Sequence, residues 1–419
     1  MENLVIHDFV CPNCMEKGIS IFHTIKNVPV HSVFNIPTKS EAMNFPKGSL
    51  SLGFCKKCGF IFNADFDPTV LMYSVNCEES QGCSQIFHEF LYNLAARLVE
   101  KYDLRQKKIL EIGCGKGEFL ELLCKIGNNT GIGFDPAYRE GRIDENSVGI
   151  RIIRDYYSEK YTNISSDMIC CRMTLEHIHD PYDFLSMIRR SIGERYETIV
   201  FFQVPDVMRI LRDCAFEDIY YEHCSYFSAD SLFNLFQKTG FEILSLTDGY
   251  DGQYLLLEAQ PTKKGGIHAK PFPYHPKTEG MMRLVEGFAK KHERKRTLWH
   301  DIFAEFQTQG LKVVLWGAGS KAVAFLMTLK LSHTIHYVVD INPFRHGYFM
   351  AGTGQQIVAP EALKEYRPDA VVIMNSIYKD EIKEYLSNME LSPMLIPLGA
   401  KILKLNASIT SIKAGGCFD

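Results

Sequence analysis

The chain has 419 residues and a formal net charge of −4; hydrophobic residues make up 46% of it and charged residues 23%. This length exceeds what one hydrophobic core serves, so an ordinary globular composition predicts about three domains. The acidic balance provides no general attraction for nucleic-acid phosphates. The densest basic run, residues 290–296, follows a predicted helix and is interpreted as a solvated face. We therefore expect no nucleic-acid partner.

The expected cellular compartment follows from the targeting and membrane-spanning patterns that the sequence does not show. No basic region leads into an apolar stretch at the N-terminus, so no secretory signal is predicted. Lys312, Lys321 and a glycine turn interrupt the most apolar window, 311–331, which indicates a buried strand and helix and excludes a membrane span. Thirteen cysteines without a secretory signal indicate reduced thiols, some of them bound to metal. We expect a cytoplasmic protein without a membrane partner.

The segment 1–75 carries two CxxC pairs separated by 40 residues, Cys11–Cys14 and Cys55–Cys58. Each pair places two thiolates on a tight turn, and two such turns complete a tetrahedral site for Zn²⁺. Free thiols and redox chemistry are the alternatives. Because four protein ligands leave no open coordination position, the predicted zinc is structural and stabilises a segment with little core of its own. The other cysteines are interpreted as small buried hydrophobic residues.

Residues 84–102 have apolar side chains at helical spacing, and alternating strands and helices follow them up to about residue 260. This alternation is typical of a doubly wound parallel α/β sheet. The predicted strands are Lys108–Ile112, Gly131–Asp135, Ile150–Arg154, Met168–Arg172 and Thr198–Val204.

A glycine-rich turn follows the first of these strands. Its pattern is Glu-x-Gly-x-Gly-x-Gly, from Glu111 to Gly117, and a predicted helix begins directly after it. Glycines permit close backbone approach to a ligand, and the helix N-terminus offers unpaired N–H groups. The pattern differs from the Gly-x-Gly-x-x-Gly fingerprint of dinucleotide sites. Asp135 ends the next strand, where its carboxylate is positioned to accept hydrogen bonds from both hydroxyls of a ribose.

This combination resembles class I methyltransferases that use S-adenosylmethionine (SAM). The resemblance implies that Glu111, Gly113, Gly115 and Gly117 bind the methionine and ribose side of SAM, and that Asp135 binds the ribose. It implies further that Asp155 lies near the adenine. The segment Arg172–His177, after the fourth strand, would line the cofactor.

Polar side chains follow the fourth and fifth strands, at the edge where open α/β sheets bind ligands. Tyr220, Glu222 and His223 place a phenol, a carboxylate and an imidazole within four residues. Such a group can remove a proton from a carbon beside a carbonyl, with His223 as base, Glu222 orienting it and Tyr220 stabilising the enolate oxygen. The alternative is a surface loop that is merely aromatic and polar.

The stretch 261–280 is dense in Pro, Gly, Lys and His and is the predicted linker to a third domain. After a charged helix at about 281–309, strands are predicted at Lys312–Trp316, His336–Asp340 and Ala370–Met374. Helices are predicted at Ala322–Lys330 and Asp380–Ser387. The turn 317–320, with Asp340 at the end of the next strand, could form an NAD site. Because a third glycine is absent, we favour a degenerate nucleotide-type fold that helps to hold the substrate.

Together these features resemble the three-domain sugar C-methyltransferases, which methylate C3 of nucleotide-linked 4-keto-deoxysugars. The family combines a zinc-binding domain, a class I core and a C-terminal Rossmann-like domain, here 1–75, 84–260 and 281–410. The resemblance assigns His177, Tyr220, Glu222, His223 and Tyr73 to the catalytic site. Two departures concern the substrate side: Tyr221 replaces a histidine of the family, and residues 251–254 replace its His-Gly-Gly-Ser turn.

The sequence thus predicts a SAM-dependent C-methyltransferase that acts on a nucleotide-linked keto-deoxysugar through an enolate, as a monomer or weak dimer. Methylation of oxygen or nitrogen on another small molecule or glycan precursor is the alternative enzyme. A zinc-ribbon protein that binds or modifies RNA, and an inactive binding protein, are alternatives from other classes. The acidic balance and the third domain disfavour RNA as the partner.

Overall fold

The computed structural model describes residues 6–143, 149–263, 278–331 and 334–399. The chain divides into two compact units, each assembled from three stretches. The first unit comprises Met1–Val30, Gly48–Arg209 and Tyr221–Glu286, and the second comprises His31–Lys47, Ile210–Tyr220 and Gly287–Asp419.

The strands and helices alternate through most of the chain. The strands are β1 (Ile6–Val10), β2 (Lys17–Pro29), β3 (Lys47–Cys55), β4 (Ile61–Asn63), β5 (Lys108–Ile112), β6 (Thr130–Phe134), β7 (Ile150–Ile153), β8 (Met168–Arg172), β9 (Ile199–Pro205), β10 (Ser225–Tyr226), β11 (Phe241–Gly249), β12 (Tyr254–Pro261), β13 (Val313–Trp316), β14 (Tyr337–Val339), β15 (Gln356–Val358), β16 (Ala370–Ile373) and β17 (Met394–Pro397). The helices are α1 (Lys39–Met43), α2 (Gln85–Lys101), α3 (Glu118–Gly127), α4 (Pro181–Ile192), α5 (Val207–Asp213), α6 (Ala229–Lys238), α7 (Thr278–Gln309), α8 (Ser320–Leu329), α9 (Leu363–Tyr366) and α10 (Lys379–Asn388). Within the described ranges, no helix is both long and apolar enough to cross a bilayer.

The first unit is built around a seven-stranded sheet in the order β11-β12-β9-β8-β5-β6-β7. Strands β7, β6, β5, β8 and β9 are parallel, and β12 runs antiparallel to both of its neighbours. Strands β5, β8 and β9 are apolar and almost entirely buried, as expected where helices cover both faces of a sheet. The predicted class I α/β fold is confirmed, and the sheet contains two strands that the sequence did not predict, β11 and β12.

A second sheet of the same unit joins the N-terminal segment to a strand from residues that follow the seven-stranded sheet's β9 in the chain. Its order is β1-β2-β3-β4-β10, and β10 comes from residues 225–226, far along the chain. Its buried Phe60 and Phe62 belong to the same hydrophobic core as Phe202 and Phe227. The predicted boundary at residue 75 therefore separates segments that share a sheet and a core, because pairing between distant strands leaves no local signal in the sequence.

The second unit contains a parallel sheet in the order β15-β14-β13-β16-β17. Trp299 and Phe303 of α7 pack against Phe325 of α8, and the core includes Phe216 from the stretch 210–220. The segment 31–47 also belongs here, since the Ser32 hydroxyl donates to the Ser320 hydroxyl at 2.7 Å. The predicted third-domain strands and helices all occur within about two residues of their expected ends. Most of the predicted linker, 264–277, lies outside the described residues.

Candidate active site

The glycine turn lies at the carboxyl end of β5 and opens helix α3. Gly113, Gly115 and Gly117 have φ values of +68°, +55° and +84°, a region that disfavours side chains. A Cβ on Gly113 would lie 2.0 Å from the Thr174 hydroxyl oxygen, so no larger residue fits without displacement. At Gly113 the turn therefore leaves no room for a side chain, and its predicted role in cofactor binding stays a prediction.

Asp135 follows β6 and fastens this turn. One carboxylate oxygen accepts the Gly115 N–H at 2.9 Å, and the other accepts the Ala137 N–H at 2.7 Å. Burial raises the pKa of the Asp135 carboxyl, and these two amides together with the Lys116 ammonium oppose that rise. The carboxylate lies on the glycine turn, where a class I cofactor's ribose is expected.

Glu111 and Arg172 lie together behind the turn, on neighbouring strands. A Glu111 oxygen is 4.0 Å from an Arg172 guanidinium nitrogen, and the Arg172 Nε donates to the Gln203 side chain at 2.9 Å. The guanidinium carbon lies 4.2 Å from the centre of the Phe119 ring. Burial raises the pKa of Glu111 to about 8, and its second oxygen has no hydrogen-bond partner among the described residues. This buried, unpaired acceptor fits a site that gains a donor when the cofactor binds.

Asp155 lies just past β7 at the same edge of the sheet. Its carboxylate accepts the Tyr161 hydroxyl at 2.6 Å and lies 3.1 Å from the Lys160 ammonium. The Tyr161 hydrogen bond lowers the pKa of this exposed carboxyl, and the bond from Lys160 adds to the effect. Its predicted place beside the adenine stays a prediction.

Gly113→Ala is expected to weaken SAM binding by roughly ten- to a hundredfold, because relieving the overlap with Thr174 strains the turn by about 1–3 kcal/mol. Isothermal titration calorimetry with SAM measures this change. Gly193→Ala is the matched control, since Gly193 has φ +61° and open space around its Cβ position. Equal SAM affinity in both variants would contradict the close approach at Gly113.

Three predicted catalytic side chains meet at the next strand end, although they come from distant parts of the chain. The Tyr73 hydroxyl lies 2.8 Å from Nδ1 of His177, and the rings of His177 and His223 meet edge to face with centres 4.9 Å apart. Glu222 and His223 are buried, whereas Tyr73 and His177 are half-buried. Burial raises the pKa of Tyr73, and the charge of Glu222 raises it further. The tyrosine is therefore a neutral hydrogen-bonding group at neutral pH.

The neighbouring tyrosines are placed differently. Tyr220, a predicted catalytic residue, belongs to the second compact unit, and its role stays a prediction. Tyr221 is buried, and its hydroxyl accepts the Asp67 N–H at 2.9 Å. A Cβ on Gly48 would lie 2.2 Å from the Tyr221 ring. Tyr221 thus packs against the N-terminal segment, which gives a structural reason for tyrosine at this departure from the family pattern.

Two buried charged residues near the site were missed by sequence reasoning. Lys116, within the glycine turn, donates to the carbonyls of Cys77 and Ala137 at 2.9 and 3.0 Å. Its ammonium is also 3.2 Å from Glu79, so it fastens the chain leaving the N-terminal segment to the cofactor turn. The position of Lys116 between Gly115 and Gly117 was the sequence feature that could have predicted this role. Glu176 is the second of these residues. Its position directly before His177, in the segment that follows the fourth strand, was its signal in the sequence.

The four predicted zinc ligands converge in the first unit. Their sulfur atoms lie within 4.8 Å of one another, with 3.7 Å between Cys11 and Cys58 and 3.6 Å between Cys14 and Cys55. A tetrahedral zinc–thiolate site has sulfurs about 3.8 Å apart, from bonds of about 2.3 Å. Hydrogen bonding from Cys11 lowers the pKa of the Cys14 and Cys55 thiols. Donor type, number and spacing all fit Zn²⁺.

Helix α6 supports this cysteine cluster from outside. The Asn13 amide donates to the Cys58 sulfur at 3.5 Å and to the Ser231 carbonyl at 3.1 Å. Lys238, at the end of α6, donates to the Cys14 carbonyl at 3.1 Å. Such outer contacts orient metal ligands, so the cluster links the N-terminal segment to the core.

The class I sheet, the glycine turn and the acidic residue that fastens it define a SAM-dependent methyltransferase. Comparison with known families agrees, because residues 85–246 match the methyltransferase domain model Methyltransf_23. A second model, described as the C-methyltransferase C-terminal domain, matches residues 277–392. The chain is therefore a SAM-dependent methyltransferase.

The individual proteins that this chain resembles have low sequence identity to it. The chain is 24% identical over 358 residues to the C-methyltransferase NovU of Streptomyces niveus, covering 81% of this chain and 84% of the relative. The structure of the N,N-8-amino-8-demethyl-D-riboflavin dimethyltransferase RosA of Streptomyces davawensis aligns with 16% sequence identity and a TM-score of 0.34. The alignment covers 42% of this chain and 56% of RosA. The 1,6-didemethyltoxoflavin-N1-methyltransferase of Burkholderia thailandensis aligns with 14% identity and a TM-score of 0.32, over 43% of this chain and 82% of its own.

Proposed function

We propose that this methyltransferase transfers the methyl group of SAM to a carbon of a nucleotide-linked keto-deoxysugar. Two comparisons favour carbon as the acceptor: the C-terminal domain model and the relative NovU both carry C-methyltransferase in their names. The sugar substrate comes from the resemblance to the three-domain sugar C-methyltransferases. The 84% coverage of NovU supports a similar domain arrangement in the two proteins.

One observation carries the proposal: the Tyr73–His177–His223 cluster at the carboxyl end of β8. Carbon beside a ketone is weakly acidic and becomes a nucleophile only after a base removes its proton. A buried imidazole next to a second imidazole and a neutral phenol supplies such a base. Half-burial of Tyr73 and His177 leaves the cluster accessible to a substrate.

In the proposed reaction, a His223 ring nitrogen takes the proton from the carbon beside the ketone and becomes an imidazolium. The electrons of that C–H bond move into an enolate, whose oxygen accepts a hydrogen bond from a tyrosine hydroxyl, with Tyr220 as the predicted donor. Glu222 orients His223, and His177, held by Tyr73, assists it. The glycine turn and Asp135 would hold SAM, which when bound would supply an electrophilic methyl group. The enolate carbon would accept this group as its bond to sulfur breaks, and S-adenosylhomocysteine would leave.

We also propose that Cys11, Cys14, Cys55 and Cys58 hold one structural Zn²⁺. The sulfur spacing and the outer contacts from Asn13 and Lys238 support this assignment. The metal would fix the orientation of the N-terminal segment, from which the chain leads to Tyr73 and Glu79. No catalytic step is assigned to it, because four thiolates complete its coordination.

Product analysis tests the acceptor atom. The reaction is run with methyl-¹³C SAM and a thymidine-diphosphate 4-keto-6-deoxyhexose whose sugar is also labelled with ¹³C. We expect the labelled methyl group on the carbon next to the ketone. Carbon–carbon coupling in the NMR spectrum of the product detects this bond. An unlabelled-SAM reaction is the control. A methyl group on oxygen would contradict carbon methylation and favour the O-methyltransferase alternative. No product with any keto sugar would contradict the substrate class.

A further inference from the structure

Glu176 lies in the short turn Leu175–His177 that follows β8, and it is the most completely buried acid beside the catalytic cluster. Its exposed fraction is 1%, and neither carboxyl oxygen has a hydrogen-bond partner among the residues that the structure describes. Burial of an unpaired carboxylate costs several kcal/mol in proteins. A buried acid without a hydrogen-bond partner lowers the free energy of unfolding of the protein. Its presence at this position therefore indicates a role in the site.

The carboxyl group faces the two histidines of the cluster. A Glu176 oxygen, a ring nitrogen of His177 and a ring nitrogen of His223 all lie within 4.8 Å of one another. At this separation, in a medium of low polarity, the charge of the acid and the protonation of the imidazoles depend strongly on each other. Protonation of one of these three groups is therefore expected to change the proton affinity of the other two.

The other charged and titratable groups near Glu176 do not replace this pairing. Burial raises the pKa of Glu176 to about 8, and its own backbone N–H and, to a smaller extent, the Arg172 guanidinium oppose the rise only in part. The thiols of Cys171 and Cys224 are held neutral, since burial and, secondarily, nearby charge including that of Glu176 raise their pKa values. A proton on His177 or His223 is thus the nearest available compensation for an ionised Glu176.

We propose that Glu176 is a positioning residue that raises the basicity of the His177–His223 pair. This inference rests on the proposed function, in which His223 removes a proton from carbon. With Glu176 ionised and both imidazoles neutral, Glu176 carries a buried negative charge without an imidazolium partner, beside the second buried acid Glu222. Transfer of the substrate proton to His223 gives Glu176 that partner in a neutral carboxylate–imidazolium pair, so burial itself favours the transfer. The proton comes from the substrate carbon, whose electron pair stays in the enolate, and no further reactant is needed.

The pH dependence follows from the sign of this coupling. Below about pH 8 the Glu176 carboxyl holds its own proton and gives the imidazoles no negative charge, whereas above about pH 8 its carboxylate favours transfer of the substrate proton to His223. We therefore expect kcat/KM to rise with pH up to about 8 in the wild type. Without the carboxyl group, the rise should move toward the pKa of an ordinary or buried imidazole, at least about one unit lower.

Titration of the histidine signals by NMR tests this without any substrate. In protein with ¹³C-labelled histidine, assigned with His177→Asn and His223→Asn, we expect the cluster to take up its proton near pH 8. In Glu176→Gln the imidazole titration should shift down by about one unit or more, whereas Glu176→Asp should retain most of the wild-type titration. Unchanged titration in Glu176→Gln would overturn the proposal. If that variant does not fold, an Asp variant that titrates at an ordinary imidazole pKa would overturn it.

Glu258→Gln is the matched control, because Glu258 is also buried but pairs with Arg97 and Lys101 at 2.6 Å each. It should leave the histidine titration unchanged, and an equal shift there would contradict a specific role for Glu176. With the thymidine-diphosphate keto sugar, Glu176→Gln should lower kcat/KM by roughly ten- to a hundredfold and shift its pH limb as the NMR titration does. If the wild type does not methylate that sugar, the proposed function fails while the titration still decides the role of Glu176. A metal ion retained after loss of the four cysteine ligands would place a metal in this cluster and overturn proton sharing.

Discussion

His223→Asn is expected to lower turnover by roughly two to four orders of magnitude, the usual effect of removing a positioned general base. Asparagine keeps a polar side chain of similar reach but cannot accept the substrate proton. SAM affinity should stay near the wild-type value, because the glycine turn and Asp135 are fastened to each other independently of His223. Steady-state kinetics with the keto sugar and calorimetry with SAM measure the two quantities.

His179→Asn provides the control for this experiment. His179 belongs to the same stretch as His177, but its side chain is half-exposed and lies 2.9 Å from Asp180, outside the catalytic cluster. We expect this variant to keep most of the activity. Full turnover in His223→Asn would remove His223 from the mechanism, and equal losses in both variants would indicate a general effect on the fold.

Replacing Cys55 and Cys58 together with serine is expected to abolish zinc binding and strongly destabilise the first unit. Structural zinc sites in small domains contribute about 10 kcal/mol or more of apparent binding free energy, which is also folding free energy. The loss is not confined to the N-terminal segment, since Cys55 and Cys58 belong to the same core as Phe202 and Phe227. Elemental analysis should find about one zinc per wild-type chain and none in the variant. Thermal unfolding should show a large decrease in midpoint.

Cys83→Ser is the control for the zinc experiment, because Cys83 is exposed and lies outside the cysteine cluster. Its zinc content and unfolding midpoint should match the wild type. Wild-type protein purified without chelator that contains no metal would contradict the zinc proposal. A double variant that loses zinc but unfolds at the wild-type temperature would contradict the structural role alone.

Some features of this protein are determined by short stretches of sequence. The Glu111–Gly117 pattern predicts the cofactor turn because glycine adopts positive φ without steric strain, here at three positions within five residues. The paired cysteines predict a metal cluster because each CxxC turn brings its two sulfurs together before any tertiary contact forms. The alternating pattern predicts the class I sheet, since strand and helix periodicities are local properties of the chain.

Tertiary packing brings together the Tyr73–His177–His223 cluster, which is the proposed catalytic site. Tyr73 meets His177 and His223 meets His177 across long stretches of chain, and their family resemblance, rather than their spacing, predicted that they share a site. Nothing local distinguished Tyr221, which packs on Gly48, from its neighbours, or marked Glu176 as an acid without a hydrogen-bond partner. The physical reason is that the charge and basicity of a buried group depend on what surrounds it in three dimensions. The spacing of residues in the sequence indicates only the local backbone conformation beside such a group.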